Sequence, residues 1–382
     1  MVHGRLVRCL SGLGLEVAGV CAAIQIGGCF TTPKSTFPSQ AFSPPAEYAG
    51  KYGVFRSPLT FDNGDVVKTR GDWSRRREEI LANWHERMGE WPPLIIGQKP
   101  EYLETVRREN FTQHHVRFYW TPDEKTDGYL LVPDGKGLKP AVITVYYEPE
   151  TAVGIKENGH RDFARQLTRQ GFVTLSIGTR EASAQQQYSL YYPGIANARV
   201  QPLSMLAYAA ANACNMLADV EGVDPARIGI MGHSFGGKWA MFASCLYEKF
   251  ACAAWSDPGI VFEETRPSVN YWEPWYLGYH PKPWRKRGLM TGDNPGKGLY
   301  LKLRQEGYNL TDLHALMAPR PFLVSGGSED PPERWIALNH SIRVNAVLGY
   351  KDRVAMTNRA EHSPDAESVR HMVAFFVHFL CP

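Results

Sequence analysis

One serine in the chain has the neighbours that nucleophilic chemistry requires. Gly232-His233-Ser234-Phe235-Gly236 is the only G-x-S-x-G in 382 residues. Before it, Arg227-Ile228-Gly229-Ile230-Met231 follows the turn pair Asp224-Pro225 and predicts a short buried strand. After it, Trp239, Ala240, Ala243 and Leu246 recur at helical spacing over Gly237–Leu246. A strand turning sharply into a helix strains the serine backbone and lifts its hydroxyl above the sheet. The new helix also aims its N-terminal amides at an oxyanion forming there. The bland alternative is a glycine-rich turn without chemistry, and the strand and helix on either side of Ser234 argue against it.

A serine hydroxyl is a weak nucleophile and needs a base within hydrogen-bond reach. That base is usually a histidine oriented by a carboxylate, which fixes its tautomer and stabilises the imidazolium. His362 alone lies in the loop after the last predicted strand, Arg353–Asn358. His340, His371 and His378 fall within predicted helices, and His314 precedes the strand that carries the acid. The expected acid is Asp330, which ends the run Pro321–Ser325 and Gly326-Gly327-Ser328-Glu329 and is followed by Pro331-Pro332. Glu329 beside it, and Asp257 after the preceding strand, remain open as alternatives. For the oxyanion, one donor is the backbone N–H of Phe235. The other is expected from Tyr147, or its neighbour Glu148, after the strand Ala141–Tyr147.

The surrounding pattern supplies the frame. Asp72–Met88 reads as an amphipathic helix with Trp73, Ile80, Leu81 and Trp84 on one face, stopped by Trp91-Pro92-Pro93. Tyr102–Arg107, Thr112–Trp120 and Gly128–Val132 are strand-like runs separated by polar turns. Adjacent His114 and His115 would point to opposite faces of such a strand, so they do not make a metal pair. From Ala141 onward, strands (Ala141–Tyr147, Phe172–Ile177, Arg227–Met231, Ala251–Trp255, Pro321–Ser325, Arg353–Asn358) alternate with helices (about 159–170, 202–217, 237–246 and 333–348). This predicts an α/β fold: a mostly parallel central sheet with helices on both faces and an antiparallel N-terminal start. Ser363-Pro364-Asp365 reads as the N-cap of a closing helix.

Composition sets the outer bounds. Hydrophobic content of 43% and charged content of 21% describe an ordinary globular chain, and a net charge of +3 gives no basis for nucleic-acid binding. Residues 1–30 read as a leader: Arg5 and Arg8 precede an apolar, small-residue run. Ile26-Gly27-Gly28-Cys29 resembles a lipobox, which would make Cys29 a lipid-anchor site on an exported protein. Glu16 within the run makes it a poor membrane span. Residues 31–50 are rich in Pro, Ser and Thr and read as a linker, leaving 51–382 as the folded domain. Cys214, Cys245, Cys252 and Cys381 lack metal spacing and read as buried free thiols, although export would permit a Cys245–Cys252 bridge.

With these residues in place, the chain resembles the α/β-hydrolase superfamily, and within it the dienelactone-hydrolase-like and acetyl xylan esterase-like carbohydrate esterases. The resemblance covers about Asp72 to the C-terminus. It rests on Gly232–Gly237, Ala318-Pro319-Arg320-Pro321, Gly327-Ser328-Glu329-Asp330 and His362. Leu316-Met317-Ala318-Pro319-Arg320 and Lys238 also look like glucuronoyl esterases, which carry an arginine directly after the nucleophile where this chain has Phe235. The resemblance implies an α/β-hydrolase fold with a Ser234–His362–Asp330 triad. It also implies a small-molecule or oligosaccharide ester as substrate, with no metal or organic cofactor. An aromatic-rich insertion, 258–318, is the expected substrate region, with Trp272, Trp275 and Tyr276 from it and Tyr192 from an earlier loop. Burial of those rings against the body is the competing expectation. Lys282, Arg285, Lys286 and Arg287 read as a solvated basic edge. A lipid esterase or peptidase on the same fold, and a catalytically silent glycan-binding protein, are the rival readings.

Overall fold

Alternation of side chains across a strand, one face up and the next down, is the pattern that builds this molecule. A computed structural model describes residues 36–156, 159–179 and 189–381. In chain order its elements are α1 (Arg70–Met88), β1 (Glu101–Arg107), β2 (Phe111–Tyr119), β3 (Lys125–Pro133), β4 (Lys139–Tyr146), α2 (Pro149–Ala152), α3 (Phe163–Arg169) and β5 (Val173–Gly178). Then follow α4 (Pro202–Ala218), β6 (Val223–His233), α5 (Phe235–Leu246), β7 (Cys252–Ser256), α6 (Leu299–Gln305), α7 (Thr311–Ala315), β8 (Phe322–Gly326), α8 (Trp335–Val347), β9 (Val354–Asn358) and α9 (Ala366–Leu380).

The strands form one sheet in the order β1-β2-β3-β5-β4-β6-β7-β8-β9. β1, β2 and β3 pair antiparallel, as does β3 with β5; from β5 to β9 every pairing is parallel. The expected fold class therefore holds. Ala253 and Trp255 of β7, and Phe322 and Val324 of β8, face the larger core with α1, α4, α5 and the insertion. The residues between them, Ala254 and Leu323, face a second core with Phe163 and Leu167 of α3 and Phe375 and Phe376 of α9. Both faces of the parallel strands are covered, so their hydrophobic runs are continuous.

Local signals set the helix ends. Thr69 and Asp72 form a reciprocal capping box, so α1 starts two residues before the expected Asp72. Asp365, rather than Ser363, caps α9, because its carboxylate accepts from Ser368 N. The insertion stays mostly irregular, and just beyond it Arg320 donates to the carbonyls of Ser244, Tyr247 and Phe250, pinning the end of α5 to the entry of β8.

Two expectations change here. Within the supposed linker, Phe37 and Ala41 are buried with Phe375 of α9, so residues 36–50 pack as part of the domain. The proline-rich composition reflects a chain that turns while it packs, not a tether. Cys214, Cys245 and Cys252 are free and buried, so the Cys245–Cys252 bridge is not formed, whereas Cys381 is disulfide-bonded rather than free. The leader and Cys29 lie outside the described residues. Among the described residues no helix is long and apolar enough to cross a membrane.

Candidate active site

Ser234 stands between β6 and α5 with φ 55° and ψ −114°, a conformation that costs a non-glycine residue about 1–3 kcal/mol. Its neighbours must be glycine. A Cβ on Gly232 would lie 2.2 Å from the Gly236 carbonyl oxygen, and one on Gly236 would lie 2.0 Å from that of Val145. The turn is held by Ser234 N donating to Ser256 O at 2.8 Å, which ties it to the end of β7.

Parallel strands deliver their C-terminal ends to one rim, and the other two groups arrive there from β7 and β9. His362, in the loop after β9, has Nε2 at 2.8 Å from Ser234 Oγ and Nδ1 at 2.7 Å from Asp257 Oδ2. With Nδ1–H toward the carboxylate, Nε2 is left to accept the serine proton. Asp257, in the left-handed region at φ 50°, is fully buried at the end of β7. Its carboxylate also accepts from Gly327 N at 2.6 Å, Asp330 N at 2.8 Å and Glu329 N at 3.3 Å.

This corrects the expected acid. Asp330 is buried but turned away from His362: it accepts from Gly259 N at 2.8 Å and Ile260 N at 2.6 Å. Glu329 supplies only its backbone amide to the Asp257 carboxylate. Burial, together with the Asp257 charge, pushes the Asp330 carboxyl up to about 6. Asp257 and Asp330 share the same sequence signal, an aspartate followed by proline after a buried strand, so sequence alone could not rank them.

Phe235 opens α5, where its backbone N–H is the first of the helix, and its side chain is buried. Its ring stacks on Tyr147, with centroids 4.7 Å apart and planes at 19°, and packs 6.1 Å from Tyr276. The segment after β4 that carries Tyr147 is thus adjacent to the elbow. Lys238, one turn into α5, is buried and donates to Pro258 O at 2.6 Å and Ser268 O at 3.1 Å. Burial pulls its ammonium down to about 8, against the opposing charges of Asp330, Glu329 and Asp257.

The aromatic insertion is not a rim of exposed rings. Trp272 is fully buried, with its indole N–H donating to Gly288 O at 2.9 Å; Trp275 and Tyr276 are also buried. A sixty-residue excursion with little regular structure must bury its own apolar area, and these rings do that. Tyr192 is half-buried against the main core, in an isolated bridge to Val200. Of the expected basic edge, Lys282, Lys286 and Arg287 are exposed, whereas Arg285 is buried in an ion pair with buried Glu273 at 2.8 Å.

Sequence reasoning missed two neighbours of the site. His233 is buried, with Nδ1 at 3.1 Å from Ser256 Oγ and its ring 4.7 Å from that of His362. Burial holds it well below the ordinary histidine range, so it is a neutral partner. Arg359 lies in the segment that leads to His362. An arginine close before a catalytic-type histidine was the only signal, and it is a weak one.

Comparison with known proteins agrees with this fold. Residues 126–261 match the Dienelactone hydrolase family. No curated protein matches the chain. Among solved structures, a glucuronoyl esterase from Solibacter usitatus is 18% identical with a TM-score of 0.62, over 84% of this chain and 96% of that one. A CE15 glucuronoyl esterase from Teredinibacter turnerae T7901 is 17% identical, TM-score 0.61, over 88% and 92%. A putative acetyl xylan esterase from Bacteroides fragilis NCTC 9343 is 16% identical, TM-score 0.52, over 87% and 86%. The sheet order, the glycine-walled turn at Ser234 and these likenesses together give the chain an α/β-hydrolase fold, with its segment 126–261 similar to the dienelactone hydrolases.

Proposed function

We propose that the protein is a serine carboxylic-ester hydrolase that works through an acyl-enzyme on carbohydrate esters. The observation that carries this reading is the unbroken chain from Ser234 Oγ to His362 Nε2 at 2.8 Å and from His362 Nδ1 to Asp257 Oδ2 at 2.7 Å. His362 takes the serine proton as Oγ attacks the ester carbonyl, and Asp257 stabilises the imidazolium that results. The Phe235 amide, with Tyr147 as its partner, holds the oxyanion. Collapse releases the alcohol, protonated by His362. Water activated by the same imidazole then attacks the acyl-enzyme and frees the acid.

The finer reading is a simple acyl ester, acetyl in type, on a sugar. Phe235 supports it: where glucuronoyl esterases carry an arginine, this chain packs an apolar ring against Tyr147 and Tyr276. A second reading, cleavage of a uronate ester, draws support from the glucuronoyl esterases among its structural neighbours. The leader-like residues 1–30 fit an exported enzyme meeting such polymers outside the cell.

Hydrolysis of acetylated xylo-oligosaccharides, methyl glucuronate esters and p-nitrophenyl acetate by the purified chain, beside Ser234→Ala, tests the proposal. Deacetylation that disappears in Ser234→Ala is expected. Cleavage confined to the uronate esters would move the conclusion to the second reading. A Ser234→Ala variant as active as the parent, or glycan binding without turnover, would remove the catalytic reading.

A further inference from the structure

We propose that Arg359 is a positioning residue for His362, fixing the imidazole against both the nucleophile and the acid. The inference rests on the serine-hydrolase reading above and adds a residue to it. Arg359 leaves the end of β9 with its own backbone N–H donating to Gly326 O at 3.0 Å. Its guanidinium then turns back beneath the loop that it starts. Nη2 donates to His362 O at 2.5 Å and Nε to Ser363 O at 2.8 Å, so two successive carbonyls, that of His362 and the next, are held by one rigid group. Nη1 donates to Ser325 O at 2.8 Å and Gly326 O at 3.3 Å, anchoring the same group to the end of β8. Nη2 also reaches Ser256 Oγ at 3.4 Å, next to Asp257 on β7, and that hydroxyl contacts His233 behind the His362 ring.

One planar side chain therefore ties the histidine loop to the two strand ends that carry Asp257 and its amide donors. The loop needs such a tie: Glu361 and Ser363 are exposed and His362 is only half-buried, so packing alone does not fix its height above the sheet. Arginine suits the task because its donors lie in one plane in a fixed fork, whereas a lysine ammonium offers three donors from a single point. Arg359→Lys keeps the charge and loses the span.

The experiment measures kcat and KM on p-nitrophenyl acetate, and the rate at which a fluorophosphonate labels Ser234, for Arg359→Lys and Arg359→Ala. Each value is taken per folded molecule, with near-UV circular dichroism as the measure of folded protein. Displacing a catalytic group by about 1 Å can cost about 10²-fold, so kcat and the labelling rate are expected to fall by about that factor. KM should stay within about twofold, because nothing that touches substrate has been removed. Millimolar guanidinium, which can refill the space left in Arg359→Ala, is expected to restore part of the rate there and none in the parent. Wild-type kcat per folded molecule in both variants, or a loss carried by KM, would overturn the proposal. Ser234→Ala is run beside them: if it keeps full activity, the hydrolase reading itself fails, whereas an inactive Ser234→Ala beside a fully active Arg359→Ala removes only the role of Arg359.

Discussion

Two neighbouring loops, the one after β7 and the one after β8, are built almost as mirror images, yet only one of them touches the histidine. Each follows a buried parallel strand and carries a buried aspartate with a proline directly after it. Each aspartate accepts backbone amides from the other loop: Asp257 from Gly327, Glu329 and Asp330, and Asp330 from Gly259 and Ile260. The exchange locks the two strand ends together. What differs is direction. Asp257, in the left-handed region, turns one oxygen up to His362, while both Asp330 oxygens are taken by amides below the rim. The lesson is that a buried carboxylate at the right rim can be a structural clasp, and that its hydrogen bonds, not its place in the chain, separate clasp from catalytic partner.

The comparison breaks most visibly at Asp257. Asp257→Asn removes the charge that holds the histidine tautomer, and kcat is expected to fall by about 10⁴-fold, as such replacements do in serine hydrolases. Asp330→Asn should leave kcat within about tenfold, since nothing of Asp330 meets His362. Steady-state kinetics on one ester for both variants decides it; equal losses would mean that the two aspartates do not differ in role. Next in size is Gly327→Ala. The added Cβ would fall 2.3 Å from Glu361 O and 2.7 Å from Asp257 Oδ2, forcing the acid and the histidine loop apart. A loss of about 10²-fold in kcat follows from a displacement of that order. An unaffected Gly327→Ala would mean that the loops have more freedom than the clasp implies.

A smaller effect concerns stability. In Asp330→Asn one of the amides at Gly259 or Ile260 loses its acceptor, at a cost of about 1–3 kcal/mol, read from urea unfolding monitored by tryptophan fluorescence. The smallest effect is in pH. Burial and Asp257 raise Asp330 from the ordinary 3.8 to about 6. Because the folded-state value is the higher one, the native state holds more protons across that window, and stability from this group falls as pH rises through it. The slope cannot exceed about 1.4 kcal/mol per pH unit. Asp312, buried and also raised to about 6, contributes with the same sign in parent and variant. The parent Tm should therefore decline more steeply than that of Asp330→Asn between about pH 4 and 6. Parallel slopes would show that Asp330 does not titrate there.

Much of this molecule was written locally. The strands, their order of appearance and the switch from antiparallel to parallel pairing follow from hydrophobic period and turn residues, which act over a few positions. The elbow was legible for the same reason: Gly232 and Gly236 are required by contacts within one turn and with the adjacent strand end. His362 was legible because only one histidine falls just after the last strand. The choice of acid was not, because Asp257 and Asp330 carry one local signal, and which carboxylate turns toward His362 depends on amides donated by a loop some seventy residues away. The insertion misled in the same way: Trp272, Trp275 and Tyr276 suggest a sugar platform by composition, but a ring offers the same surface to a substrate and to a core. The sequence by itself determined the fold class and singled out Ser234 and His362, which meet in the structure, through short-range pattern and chain order. Only the tertiary structure decided which aspartate meets His362, which rings are buried and how Arg359 reaches the ends of β7 and β8, because hydrogen-bond direction and burial belong to groups that meet only when the chain has folded.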